Sequence, residues 1–393
     1  MSGLRPVLGA ALVVTSLALS LVISSPLAAE TPPDRPLAHG KVISQGNSGG
    51  QDFVVEQLLD NLGTPWGLAL IDPEQLLVSS REGRLQRINL SNLSVENISG
   101  LAEVWHQGQG GLLDIAPAPD FASSAWLYFT YAKPLPQGAA TTLARAKLAG
   151  KQLQDWQDLL VSNSHSNNGQ HFGSRIAFDE SGYVYFSVGD RGERPWAQDL
   201  SQHAGSILRL RLDGSIPPDN PFSQTPEAEA ALWSIGHRNP QGLSYDPVYQ
   251  RLWAIEHGPR GGDELNLIQA GHNYGWPEVS FGKEYWGPIQ VGSGTSAPGF
   301  TDPLKVYTPS IAPSSLRLYQ GTAFPHWHGS LLAGALAMTH LNRISLDQAG
   351  KPSGEERLLE NLGERLRSLE ISPQGWLYIG TDSGKLLRVR PQP

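Results

Sequence analysis

The 393-residue chain reads as all-β, and specifically as a six-bladed β-propeller of four-stranded antiparallel sheets. Three observations predict this. The composition, with Gly 43, Pro 30, Trp 11 and Tyr 11, suits many tight turns joined by short aromatic-bearing strands. One pattern recurs: an apolar strand, a turn containing Asp, Pro or Gly, a second apolar-aromatic strand, then Gly or Asp and a third strand. No window has the amphipathic period of a helix, which argues against α/β folds.

The units follow in order. Pro65 to Leu70 leads into Leu76-Leu77-Val78 and then Gly83 to Ile88. Gly111 to Ala116 leads to Trp126 to Tyr131, and Arg175 to Asp179 leads to Tyr183 to Asp190. Gln241 to Pro247 leads to Leu252-Trp253-Ala254-Ile255, Ser310 to Tyr319 to Ser330 to Gly334, and Leu369 to Pro373 to Trp376 to Gly380. Six units spaced roughly 50 to 80 residues apart are close to or above the lengths of propeller blades. A single meander cannot bury both faces of its sheet, but a radial ring buries them between neighbours. A β-sandwich is the structural alternative, and six similar units favour the ring. A site at the channel mouth would draw residues from several blades.

Composition narrows the function. The net charge is −8, and no basic tract is interleaved with aromatics, so nucleic-acid binding has little support. Cysteine is absent, which removes disulfides, thiolate metal sites, lipoprotein anchoring and cysteine nucleophiles. Arg5, the apolar run Val7 to Ile23 and the small residues up to Ala29 form the three regions of a secretory signal peptide. The rival reading of that run is an uncleaved membrane anchor, for which it is short. The expected organisation is a signal peptide over 1–29, a flexible lead-in over 30–50 and one propeller over 51–393. A periplasmic or secreted protein follows, with no membrane span after cleavage.

Four constellations could carry chemistry. His171, in Gln170 to Arg175, stands at the start of a strand and is the side chain best suited to take a proton near neutral pH. Asp190, ending the adjacent strand, could orient it. The plainer reading is a turn histidine and a turn-capping aspartate. Arg238 and Asn239, in Gly236 to Gly242, offer planar donors suited to a carboxylate or quinone oxygen, or else brace blade loops. The string Glu256 to Asn266, followed by Gly271 to Pro277, combines small residues with Asp263 and Glu264. Calcium takes oxygen ligands of this kind, backbone carbonyls included. Arg365 and Arg367 alternate along a strand, so both point to one face. Two such cations repel unless an anion lies between them, or unless both are exposed and solvated. A multi-carboxylate ligand would satisfy them. Neither a G-x-G-x-x-G turn nor a G-x-S-x-G elbow is present.

Together these strings resemble the PQQ-dependent aldose sugar dehydrogenases, over roughly Gly63 to Val389. The most specific pieces are Gly108 to Asp114, His171 with Arg175, Asp213 to Pro221, Gly236 to Gly242, Gly258 to Asn266 and Asn273 to Pro277. The family fold is a six-bladed propeller. The resemblance implies that His171 is the catalytic base, that Asp190 orients it and that Arg238 stabilises charge on the reduced quinone. It implies that Gln109, His171, Arg238, Asn239, Arg365 and Arg367 bind pyrroloquinoline quinone (PQQ). It implies a cofactor calcium on the carbonyls of Gly258 and Pro259, and a second calcium on the Glu264 carboxylate and the Tyr274 carbonyl.

Three positions depart from the family pattern. Ala337 stands where the family places a lysine against PQQ, Gln170 replaces an aspartate, and Tyr307 or Thr308 takes the place of a flanking tryptophan. The partners expected are an aldose sugar and an unspecified electron acceptor, with the chain a monomer or dimer. Two other functions keep the fold: a non-catalytic propeller binding carbohydrate or protein, and a calcium-dependent hydrolase such as a lactonase. The first gives no reason to keep His171, Arg238, Asn239, Arg365 and Arg367 together. The second needs metal but no quinone.

Overall fold

A computed structural model describes residues 37–392, together with Met1 and Gly3. The expected signal peptide and the first part of the lead-in therefore fall outside the described residues. The described chain forms six antiparallel sheets. Blades 1 to 5 are four-stranded and span 65–98, 112–161, 176–234, 240–307 and 313–358. The innermost strands are Pro65–Asp72, Leu112–Pro117, Ile176–Phe178, Pro240–Asp246, Pro313–Leu318 and Leu366–Ile371, and each touches the next around a closed ring. No helix among the described residues is long and apolar enough to cross a membrane.

The second strand of blade 1 explains why these strands read as apolar runs rather than alternating patterns. Successive side chains leave a strand on opposite faces. Leu76 and Val78 accordingly pack against blade 6 (Tyr378, Leu386), while Leu77 packs against blade 2 (Leu112, Phe129). Both faces are buried, so both carry apolar residues. Each of the six blade interfaces holds one such cluster. A fully buried Leu or Phe contributes about 1.5–3 kcal/mol relative to exposure.

Blade 6 corrects one expectation. It has five strands, because β1 (Lys41–Ser48) and β2 (Gln51–Leu59) add to the three C-terminal strands in the order β1, β2, Leu386–Pro391, Leu377–Thr381, Leu366–Ile371. Residues 41–48, expected within a flexible lead-in, are thus an edge strand. Gly49 and Gly50, with φ of +58° and +85°, form the tight hairpin turn whose composition suggested flexibility. Ring closure is also ionic. Buried Glu56 of β2 accepts from Arg388 at 2.8 Å and from Arg390 at 2.8 Å. Burial pushes the Glu56 carboxyl up, but the two guanidinium groups outweigh it and hold it below the usual range.

The channel is plugged by one side chain. Arg175, fully buried at the start of blade 3, bonds to every other blade. Its guanidinium donates to the carbonyls of Trp66 (3.0 Å), Gln241 (2.8 Å), Ser314 (2.6 Å) and Arg367 (3.1 Å), and to the Asp114 carboxylate (2.9 Å). It forms the floor on which the inner strands, and the residues at their starts, are set.

Candidate active site

The inner strands all start at one mouth. In an antiparallel pair, the end of the second strand lies beside the start of the first. A side chain just before the first strand therefore meets one just after the second, and this places the chemistry in three blades.

In blade 3 the pair is His171 and Asp190. The His171 Nδ1–H donates to Asp190 Oδ1 at 2.6 Å. The same carboxylate accepts from the Gly192 amide at 2.7 Å and from the Trp276 indole N–H at 2.8 Å. Burial raises the Asp190 carboxyl pKa, but the bond from His171 and nearby positive charge outweigh it, so Asp190 stays ionised. An ionised partner fixes the proton on Nδ1 and leaves Nε2 as the acceptor. The His171 pKa is lowered below its ordinary 6.5, by burial first and then by the charges of Arg238 and Arg191, against the opposing effect of Asp190. His171 is thus held neutral, ready to take a proton.

The backbone of His171 is strained, with φ of +50°. Its amide donates to Gln109 Oε1 at 2.8 Å. Gly189 lets its carbonyl pass close by: a Cβ there would lie 2.3 Å from the His171 oxygen. Buried Arg191 ties down the preceding loop through the carbonyls of Ser164, Asn168 and Gln170.

In blade 4 the pairing is between His237-Arg238 and Glu256. Glu256 accepts from His237 Nδ1 at 2.8 Å and from the Arg238 amide at 2.8 Å. The Arg238 guanidinium donates to the Gly258 carbonyl at 2.7 Å, and its buried Nε has no partner. In blade 6 the partner of Arg365 and Arg367 is Asp382, after the second strand. Its carboxylate accepts from Arg365 Nε at 2.8 Å and from Arg367 Nε at 2.7 Å. The anion required between the two cations is supplied, in part, by the protein itself.

Beside these stations lies a cavity of about 240 Å³ lined by Gln109, Asn239, Arg365 and Arg367, and also by Trp66, Arg81, Phe172, Gln241, His257, Ala312, Leu336 and Asp382. Arg238, Gly258, Glu264 and Tyr274 line an adjoining cleft with His257 and Trp276. His171 is on neither wall; Gln109, Phe172 and Asn239 around it are. Asn239 Oδ1 accepts from the Gly173 amide at 3.1 Å, which binds the two stations together. His257, the other imidazole here, donates Nε2–H to the Pro313 carbonyl at 2.6 Å, and burial pushes its pKa down to about 3.

Tyr307 does not line this cavity. It ends the outer strand Lys305–Tyr307, and its ring packs with Trp253, Leu265 and Leu316 between blades 4 and 5, away from the cavity. Alternation along that short strand turns it inward; Ala312, past the cis Thr308-Pro309 bond, takes a place on the wall.

Among the described residues no group of three or more His, Asp or Glu side chains could hold an ion. What is present are carbonyls and one needy carboxylate. Burial, and then the Glu256 carboxylate, drive the Glu264 pKa well above its usual range. The loop is braced by Asp263, which accepts from the Gly258 amide at 2.9 Å and from Ser310 Oγ at 2.6 Å.

Trp276, Arg81 and Asp382 were not assigned roles from sequence. Trp276 lies in the string Asn273 to Pro277, where only the neighbouring carbonyl drew notice. The signal that could have found Asp382 is positional: it follows its second strand as Asp190 does.

The donor set fits a multiply anionic planar cofactor. Three arginines face one aspartate on the cavity wall, and two buried guanidinium nitrogens, Nε of Arg81 and Nε of Arg238, have no partner.

Known proteins agree with this architecture. The chain is 38% identical to the aldose sugar dehydrogenase YliI of Escherichia coli over 345 residues, covering 86% of this chain and 93% of the relative. The apo-form crystal structure of the soluble Escherichia coli aldose sugar dehydrogenase superimposes with a TM-score of 0.83 at 36% identity, covering 86% of this chain and 100% of that one. The PQQ-bound aldose sugar dehydrogenase of Streptomyces coelicolor gives 0.71 at 29% identity, covering 86% and 98%. Residues 62–388 match the family described as Glucose / Sorbosone dehydrogenase, and the chain belongs to that family.

Proposed function

We propose that this protein is a PQQ- and calcium-dependent dehydrogenase that oxidises the anomeric hydroxyl of aldose sugars to lactones. The observation that carries the reading is the His171–Asp190–Trp276 chain, a buried and oriented neutral base, set beside a cavity whose wall is net positive. PQQ, when bound, supplies the two-electron acceptor that receives the hydride equivalent from the anomeric carbon.

The residues divide the remaining work. His171 Nε2 takes the proton of the anomeric hydroxyl, and Asp190 stabilises the imidazolium that forms. Arg238 places positive charge where negative charge grows on the acceptor. Gln109, Asn239, Arg365 and Arg367 bind and orient the cofactor, with the two arginines at its carboxylates. The carbonyls of Gly258 and Pro259 would hold a calcium that polarises the acceptor as a Lewis acid. Glu264 and the Tyr274 carbonyl would hold a second, structural calcium. Export through residues 1–29 is part of the same proposal.

The test is product and isotope. Reconstituted enzyme given glucose deuterated at the anomeric carbon should release the lactone with a primary isotope effect on kcat/KM. Oxidation at another carbon, or no isotope effect with any aldose under single-turnover conditions, would contradict the reading.

A further inference from the structure

The mouth of the ring repeats one geometry in three blades, and a fourth reverses its charge. At or within two residues of the end of the second strand stand Asp190 in blade 3, Glu256 in blade 4 and Asp382 in blade 6. Each carboxylate is bonded to a cation or imidazole from the first-strand side of its own blade. Blade 1 puts a cation at the same station. Arg81 directly follows the strand Gln75–Ser80 and lines the cavity with Arg365 and Arg367.

The Arg81 main chain is fixed. Its amide donates to the Thr64 carbonyl at 3.0 Å, and its carbonyl accepts from the Leu112 amide at 3.2 Å, so it is clamped between blades 1 and 2. Its guanidinium is not satisfied. Among the described residues it forms no hydrogen bond or ion pair, and Nε is buried without a partner. The neighbouring Glu82 and the Asp382 on the same wall are both engaged elsewhere. Glu82 accepts from the Thr64 amide and hydroxyl at 2.9 and 2.8 Å. Asp382 is held by Arg365 and Arg367. A buried donor of a charged group left unmade is costly, which leaves this guanidinium available to an anion entering the cavity.

We infer that Arg81 is a cofactor-binding residue: it receives a carboxylate of PQQ from the blade 1 side, opposing the Arg365–Arg367 pair. It thereby supplies the cationic contact that Ala337 cannot make; Ala337 is exposed, and its neighbour Leu336 offers the wall only an apolar side chain and a carbonyl already bonded to Arg365 at 2.9 Å. This inference rests on the PQQ reading above. Asp382 already offsets one positive charge of the blade 6 pair. Arg81 raises the net positive charge of the wall further, which suits a multiply charged anion.

The experiment is equilibrium binding of PQQ to chelator-stripped protein with calcium added, read by tryptophan quenching, for wild type, Arg81→Gln and Arg81→Lys. Arg81→Gln should weaken binding on the order of 10- to 100-fold and flatten its salt dependence, as loss of one charge-assisted contact requires. Arg81→Lys should recover part of both, since it keeps the charge and loses the fork. The thermal midpoint of the cofactor-free protein should not fall in either variant, because Arg81 has no internal partner to lose. Wild-type binding with Arg81→Gln equal to it in affinity and salt slope would overturn the inference alone. Wild type that does not bind PQQ would overturn the proposed function, and this inference with it. A cofactor-free Arg81→Gln that melts well below wild type would assign Arg81 to the scaffold instead.

Discussion

Asp190 holds His171 through a 2.6 Å bond to Nδ1 while Trp276 donates to its other oxygen at 2.8 Å, so the orientation of the base is set by residues from two blades. Replacing His171 by Ala should lower kcat by about 10²- to 10⁴-fold, the usual worth of a positioned base. Asp190→Asn should cost a comparable factor, because an amide can donate to Nδ1 and so favour the wrong tautomer. Asp190→Asn should leave PQQ affinity within a few-fold of wild type, measured by quenching.

The pH profile follows from the same pair. His171 must be neutral to work, and its pKa is lowered from 6.5, chiefly by burial. Activity is therefore retained as pH falls through 6.5 and lost only as it passes the lowered value. The acid limb of kcat/KM should lie below pH 6.5. In Asp190→Asn it should lie lower still, since Asp190 opposes the shift, while the plateau falls. An acid limb above 6.5 would contradict a buried neutral base.

Asp382 is buried enough for its carboxyl to be pushed up, yet Arg367 and Arg365 more than reverse this and hold it below the ordinary 3.8. A depressed carboxyl contributes stability at neutral pH that disappears as pH falls through its folded pKa. Asp382→Asn should lower the melting temperature at pH 7. The difference from wild type should shrink as pH drops below 3.8. Thermal melts across that range check this.

Arg175 makes one guanidinium responsible for contacts to all five other blades. Arg175→Met removes these and leaves Asp114 buried without its cation. The expected loss is about 3–5 kcal/mol, read from denaturant midpoints. Arg175→Lys should recover little, because one ammonium cannot reach such spread acceptors.

How far the sequence goes depends on distance along the chain. Blades were legible because each repeats a local pattern, such as Leu76-Leu77-Val78 facing two neighbours at once. The pairing of Glu56 with Arg388 was not, since closing a ring joins segments with no local signal between them. His171, Arg238, Asn239, Arg365 and Arg367 were legible as types and spacings. Asp382, in Thr381-Asp382-Ser383-Gly384, looks like any turn aspartate until the antiparallel pair brings it beside Arg367. Tyr307 shows the converse: nearby Ala312 lines the cavity, but strand alternation turns the Tyr307 ring into the core.

Calcium can be checked without activity. Glu264 is a half-buried carboxylate next to Glu256, and among the described residues no cation pairs with it. Adding calcium to stripped protein should raise the melting temperature in a concentration-dependent way. Glu264→Gln should lose most of that gain while melting near the stripped wild type in its absence.

The most direct test of the central claim is reconstitution. Purified protein stripped with chelator receives PQQ and calcium, separately and together, and dye reduction is followed with glucose and other aldoses. Activity only with both additions, and none in His171→Ala, is the result predicted. Failure of every combination to reduce dye, with no quinone bound, would contradict it and leave a carbohydrate- or protein-binding propeller as the better account.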